Sequence, residues 1–374
     1  MAQRPAAEHR TYFDLLAVVA CLAVVVLHCT LTVFGTARDH YFKLALVLQG
    51  VCIFAVPVFF MMSGANCMRY RDRYGTREFF RRRLARVGVG LLVASTIIYL
   101  LYRLFPQSFY GAEAYAEDAG FVRFVGRLAT NTVNDVYWFI YTLFALYLLT
   151  PLLSLAADRR ELLRAYLALS FCAAFAAPLA VWGGVLPDAV RGTLFSWPLL
   201  TSTATFYYVL GYYLARWPLG WRGRACALVA GLAALVAMGW LAWSVNAQRP
   251  DYDASIISAN SAFAAVYAAG VFELFQGLDP WLSRLPRRVR GWLSRLSGAT
   301  FFVYLFHVPL INWVGGTLVD TGAPLWNLRH PLLEALGVFC VTMALGLGWQ
   351  ALRRRATGLW RRRAARAAGG GEGR

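Results

Sequence analysis

Two histidines lie inside long apolar stretches of this 374-residue chain. His28 follows the run Leu15–Leu27, and His307 lies in Tyr304-Leu305-Phe306-His307-Val308-Pro309. A neutral imidazole near pH 7 can take a proton from a hydroxyl or deliver one to a leaving group. An imidazole among apolar residues can equally serve as hydrogen-bonding glue between helices, so both readings stand at this point. His28 comes 14 residues after Asp14. On a helix that is about 21 Å of axial rise, which puts the two on nearly one face but out of hydrogen-bonding reach. Pro309 removes a backbone donor and frees a carbonyl one turn earlier, which marks a helix break beside His307.

A second set of residues suits phosphate chemistry. In Arg81-Arg82-Arg83-Leu84-Ala85-Arg86, Arg83 and Arg86 are three apart and share a helix face. Guanidinium groups bind phosphate through paired hydrogen bonds. Anchoring at a membrane surface accounts for most of these arginines but not for Arg86, which falls inside the apolar run. Ser63-Gly64-Ala65-Asn66 combines small residues that permit close helix approach with an amide that can bond across a bundle. Glu273 and Glu334 fall near the ends of apolar runs and read as structural, interfacial groups. The seven Cys residues form no CxxC pair and read as small hydrophobes, so no metal site is expected.

The elements that must position these groups are membrane helices. The chain is 59% hydrophobic and 15% charged, where a soluble domain carries nearer a quarter charged residues. Apolar runs of about 20 residues, the length that spans a bilayer, start near Tyr12, Phe42, Leu84, Asp135, Leu162, Leu194, Ala225, Ser255, Ala299 and Pro331. The net charge is +18. The basic residues cluster between alternate runs, with 29 of the 37 on one side. That pattern points to the membrane surface rather than to nucleic acid, and it predicts an all-α bundle of about ten spans with both termini cytoplasmic. Reading the first span as a cleaved leader would break the alternation. The longest outward loop, 106–134, is either a cover for a site or a plain connector. Residues 1–360 read as one transmembrane domain and 361–374 as a basic, disordered cytoplasmic tail.

Five stretches in order carry a family resemblance. They are Phe13-Asp14-Leu15-Leu16 leading to Leu27-His28, Phe59-Phe60-Met61-Met62-Ser63-Gly64, Arg83-x-x-Arg86, Trp138-Phe139-Ile140-Tyr141 through Leu146-Tyr147-Leu148-Leu149-Thr150-Pro151, and Tyr304 through Pro309. The sequence resembles the acyltransferase type 3 family of membrane-bound O-acyltransferases, in its short form without an appended esterase-like domain. The resemblance implies an O-acetyltransferase of the bacterial inner membrane. Such an enzyme takes an acyl group, by default acetyl, from cytoplasmic acetyl-CoA as co-substrate and places it on a hydroxyl of an envelope glycan or its lipid-linked precursor. It implies that His28 is catalytic and that Arg83 and Arg86, with Arg82 beside them, hold the donor. Asp14, Trp138, Tyr147 and His307 fall at matching positions, and Ser63, Asn66, Tyr141 or His307 is then available as an oxyanion donor. In one respect the chain departs from the pattern. Many members carry an arginine eleven residues before the catalytic histidine, and here that position is Ala17. Oligomeric state is not legible. The competing class is a transporter or flippase, which also uses broken helices and intramembrane histidines. A membrane scaffold without activity is a third.

Overall fold

The computed structural model describes residues 10–35, 38–118, 120–249, 251–320 and 330–369. The chain is helical, with no strand among these residues. Its α-helices are α1 (Thr11–Cys29), α2 (His40–Cys52), α3 (Ala55–Cys67), α4 (Thr76–Leu104), α5 (Gly120–Ala129), α6 (Trp138–Leu153), α7 (Arg160–Phe171), α8 (Ala177–Trp182), α9 (Ala189–Phe195), α10 (Pro198–Thr201), α11 (Thr203–Arg216), α12 (Trp221–Asn246), α13 (Ala262–Leu282), α14 (Arg287–Asp320) and α15 (Pro331–Gly369). Eight stretches of described residues are long and apolar enough to cross a membrane: 11–29, 40–72, 76–104, 135–156, 160–182, 221–246, 287–315 and 331–357. They begin close to eight of the ten expected starts. The other two starts correspond to α9–α11 and α13. α11 is only 14 residues long, and α13 carries Glu273, Gln276 and Asp279. Both helices bury most of one face against protein, so their polar groups find partners that lipid would not supply.

α1 packs against α2, α3, α13, α14 and α15. Its first turn is fixed from α13, where the Asp279 carboxylate accepts the Tyr12 backbone N–H at 3.2 Å. Its last turn is fixed from α2. There the Gln49 amide donates to the Leu27 carbonyl at 2.8 Å and to the Thr30 hydroxyl at 2.9 Å. Thr30 in turn donates back to the Val26 carbonyl. These bonds satisfy carbonyls that a helix end leaves open, and they flank His28. The small residues of the second span have the role expected of them. A methyl added to Gly64 would lie 1.7 Å from the Tyr208 carbonyl oxygen, and one added to Gly211 would lie 2.2 Å from the Met61 backbone. α3 and α11 therefore cross backbone to backbone.

Glu273 and Glu334, read as structural groups near span ends, are buried against protein, at 0% and 6% exposure. Two expectations need correction. Cys172, Cys226 and Cys340 are exposed on the outside of the bundle, and only Cys21, Cys29, Cys52 and Cys67 are buried. From Arg361 to Gly369 the tail continues α15 as helix rather than as irregular chain, consistent with its Ala and Arg content. Residues 370–374 lie outside the described part.

Candidate active site

α1 faces the bundle interior with a stripe at helical spacing: Arg10, Asp14, Ala17, Cys21 and Val24 all line one cavity of about 760 Å³. α14 contributes a parallel stripe of Ser297, Thr300, Phe301, Tyr304 and His307. The helices are in register, with the Cys21 thiol reaching the Thr300 carbonyl at 3.6 Å. Continuing the α1 stripe one further turn gives His28. Its ring lies 5.1 Å, centroid to centroid, from that of His307. The cavity size is that of a cofactor or drug-sized ligand site.

The cavity is polarised along its length. Its mouth carries Arg10, Arg69, Arg73, Arg82, Arg83, Arg86 and Arg216, against only Asp14 and Asp72. Three of these cations are committed. Arg69 pairs with Asp72 at 2.6 Å and reaches Asp158 at 3.4 Å. Arg73 donates to the Asn66 carbonyl. Arg82 pairs with Glu78 at 2.6 Å, and Glu78 also takes Arg81 at 2.7 Å. Arg10, Arg83, Arg86 and Arg216 have no carboxylate partner among the described residues. Uncompensated guanidinium groups converging on one opening are a site for a polyanion. Beyond the mouth the walls turn apolar, with Val56, Phe59, Met62, Phe139, Leu143 and Val303, broken by Ser63, Asn66 and Tyr147.

The innermost titratable group is His307, which is fully buried. Its Nδ1 lies 3.1 Å from the Val303 carbonyl and 2.9 Å from that of Tyr304. Both partners only accept, so Nδ1 carries the proton and Nε2 the lone pair. Nε2 has no partner. The helix around it is held to the 3-10 turn Asp135–Tyr137 before α6 by two tyrosine hydroxyls, one from each side. Tyr137 donates to the Leu305 carbonyl at 2.8 Å, and Tyr304 donates to the Val136 carbonyl. Leu305 is the residue four before Pro309, so Tyr137 satisfies the carbonyl that the proline leaves without its helical donor. His28 is half-buried and is not part of the cavity wall. No described residue hydrogen-bonds to it.

The structure thus brings together Asp14, Ser63, Asn66, Arg82, Arg83, Arg86, Tyr147 and His307 around one cavity, with His28 against its inner end. It leaves two expected residues outside. Trp138 is 46% exposed on the bundle surface. Tyr141 bonds the Leu128 carbonyl and so braces the 106–134 segment. Sequence reasoning missed Arg69, Arg73 and Arg216, because membrane anchoring already explains a terminal arginine. It also undervalued Glu334, whose two carboxylate oxygens are buried without partners and which lies within electrostatic reach of Cys29, next to His28. The signal for Glu334 was its place three residues inside an apolar run. Ala17 lines the cavity between Arg10 and Cys21, so the missing family arginine would have pointed into the space that Arg10 and Arg216 border. Among the described residues no group of three His, Cys, Asp or Glu side chains could hold a metal ion.

The profile of the acyltransferase type 3 family, described as an acyltransferase domain, matches residues 10–348. No curated protein and no solved structure matches the chain. The profile covers α1 through the first half of α15, including every cavity-lining element. The chain is a member of the acyltransferase type 3 family, a polytopic membrane protein with an acyl-transferring domain over nearly its whole length.

Proposed function

We propose that the protein is an inner-membrane O-acyltransferase that moves an acetyl or other short acyl group from cytoplasmic acyl-CoA to a hydroxyl of an envelope glycan or lipid-linked glycan precursor. One observation carries this reading: a cavity whose mouth holds four arginines with no carboxylate partner among the described residues and whose far end abuts a pair of imidazoles. CoA has the matching shape, a phosphate-rich head on a thin, uncharged arm that ends in a thioester. The arginine-rich end is the cytoplasmic one by the positive-inside pattern, so the donor enters from the side where it is made. Arg83, Arg86, Arg10 and Arg216 hold the phosphates, and the arm follows the apolar neck past Ser63, Asn66 and Tyr147. The thioester then stops beside His307 and His28.

His28 sits outside the cavity wall, against His307 at the inner end, and in this reading the acceptor reaches it from the outer face. As general base it takes the proton of the attacking hydroxyl, an effect of about 10²–10⁴-fold. Ser63, a turn further in than Asn66, is the cavity hydroxyl offered to the developing oxyanion. The test has two parts. Mass spectrometry of envelope glycans from cells with and without the gene should differ by one acyl group. His28→Ala should abolish that difference while the purified protein still inserts and binds CoA. Full activity in that variant, or no CoA binding by the natural chain, would overturn the reading.

A further inference from the structure

We infer that His307 is a second catalytic group, one that carries the acceptor's proton across the imidazole pair to the departing thiolate; this rests on the acyl-CoA reading above. Acyl transfer from a thioester to an alcohol is proton-neutral overall. The hydroxyl proton must end on the sulfur of CoA. Yet the two partners approach from opposite ends, and the imidazole on the acceptor side does not border the donor cavity. His307 does. The problem is how the proton crosses.

Three features of His307 fit a relay. Its Nδ1–H is pinned by two carbonyls of its own helix, Val303 and Tyr304. That fixes the tautomer and leaves the lone pair on Nε2. The Nε2 atom is buried and has no partner, a cost that a purely structural histidine would relieve by bonding a neighbouring helix. The His28 ring is 5.1 Å away by centroids, which allows a proton to pass between facing nitrogens directly or through one water. Tyr137 and Tyr304 fix the helix at this level against the turn Asp135–Tyr137 that leads into α6, so the ring cannot drift along the cavity.

The step balances as follows. The acceptor oxygen bonds to the thioester carbonyl carbon as its proton goes to one nitrogen of His28. The proton on the other nitrogen of His28 passes to Nε2 of His307, making it an imidazolium. The tetrahedral intermediate collapses, the carbon–sulfur bond breaks, and the thiolate takes the Nε2 proton. His307 returns to its starting tautomer. His28 ends neutral with its proton on the opposite nitrogen, and it resets by exchange from its half-exposed edge.

The experiment uses the full-length protein in lipid vesicles, with acetyl-CoA and the glycan fraction extracted from cells lacking the gene, reading CoA thiol release in mixtures of light and heavy water. Two protons moving in the rate-limiting step should give a bowed dependence on deuterium fraction. His307→Gln should lower kcat by roughly 100-fold and leave the KM for acetyl-CoA within about threefold. Its residual rate should depend linearly on deuterium fraction. In His307→Ala, added imidazole should restore part of the rate. A linear dependence in the natural protein overturns the relay without needing any variant. So does a His307→Gln protein with natural kcat, and if His28→Ala is then inactive the acyl-CoA reading survives alone. A natural protein that binds CoA but never releases its thiol overturns both.

Discussion

Within the cavity mouth, neighbouring arginines of one helix have different roles. Arg82 pairs with Glu78, whereas Arg83 and Arg86 have no carboxylate partner among the described residues and line the same opening. A hydrogen bond to a charged group contributes about 1.5–3 kcal/mol, so Arg83→Met and Arg86→Met should each weaken CoA binding by roughly tenfold to a hundredfold. Arg82→Met should change it by less than about threefold. Calorimetric titration of CoA into the three purified variants checks the ordering, and equal losses in all three would mean a diffuse surface field rather than a built site. His28 and Arg86 stood out because an ionisable group inside an apolar run is costly and so needs a purpose, and Arg83 because it shares a helix face with Arg86. Arg216 and Arg69 were not, since the same residue type at a helix end has a cheap explanation. Trp138 matched a family position, but nothing local to it says which way its ring points.

At the scale of elements, the site depends on how closely one helix pair approaches. α3 carries Ser63 and Asn66, and it meets α11 with Gly64 and Gly211 as the contact points. Overpacking such a contact costs about 1–3 kcal/mol. Gly211→Ala should therefore lower the thermal midpoint in detergent and reduce acyl transfer, while Gly239→Ala, which faces open space on α12, should do neither. The loop after α12 gives a pH prediction. Burial alone would raise the Asp253 carboxyl. The Ser255 hydroxyl and backbone N–H, together with the Arg249 guanidinium at 3.0 Å, outweigh it and hold the group below its ordinary value. A carboxyl depressed in the fold stabilises it above the unfolded value, and that contribution is lost as pH falls through the folded value. Hydrogen exchange of residues 251–261 should thus quicken below the ordinary carboxylate range and stay flat from there to neutrality. Loop protection that is equal on both sides of that range would contradict the assignment.

For the whole molecule, the proposed reaction requires access from both faces to one reaction centre. Asn66 is exposed within the cavity at the arginine-rich end, and Trp138 is exposed near the opposite end of the bundle. Cys172, Cys226 and Cys340 are exposed and would be replaced by Ser as background. In that background, Asn66→Cys should react with an impermeant thiol reagent only in inside-out vesicles, with CoA slowing the reaction. Trp138→Cys should react only in right-side-out vesicles, with no effect of CoA. Labelling of both from one face would remove the two-sided mechanism.

The amino-acid sequence by itself determined that this is a membrane helix bundle and where most of its helices begin, because hydrocarbon tolerates only long apolar helices and charge collects between them. It also singled out His28, His307 and the Arg83–Arg86 pair, since burying an ionisable group is expensive wherever it happens. Only the tertiary structure decided which of these groups share a cavity. That depends on helices hundreds of residues apart coming into register, as Cys21 does with Thr300. The same contacts decided that His307 rather than His28 borders the cavity, that Tyr137 satisfies the carbonyl left open by Pro309, and that Glu334 is buried. Each of these is a contact between distant segments, and local spacing along the chain carries no information about which face of one helix will meet which face of another.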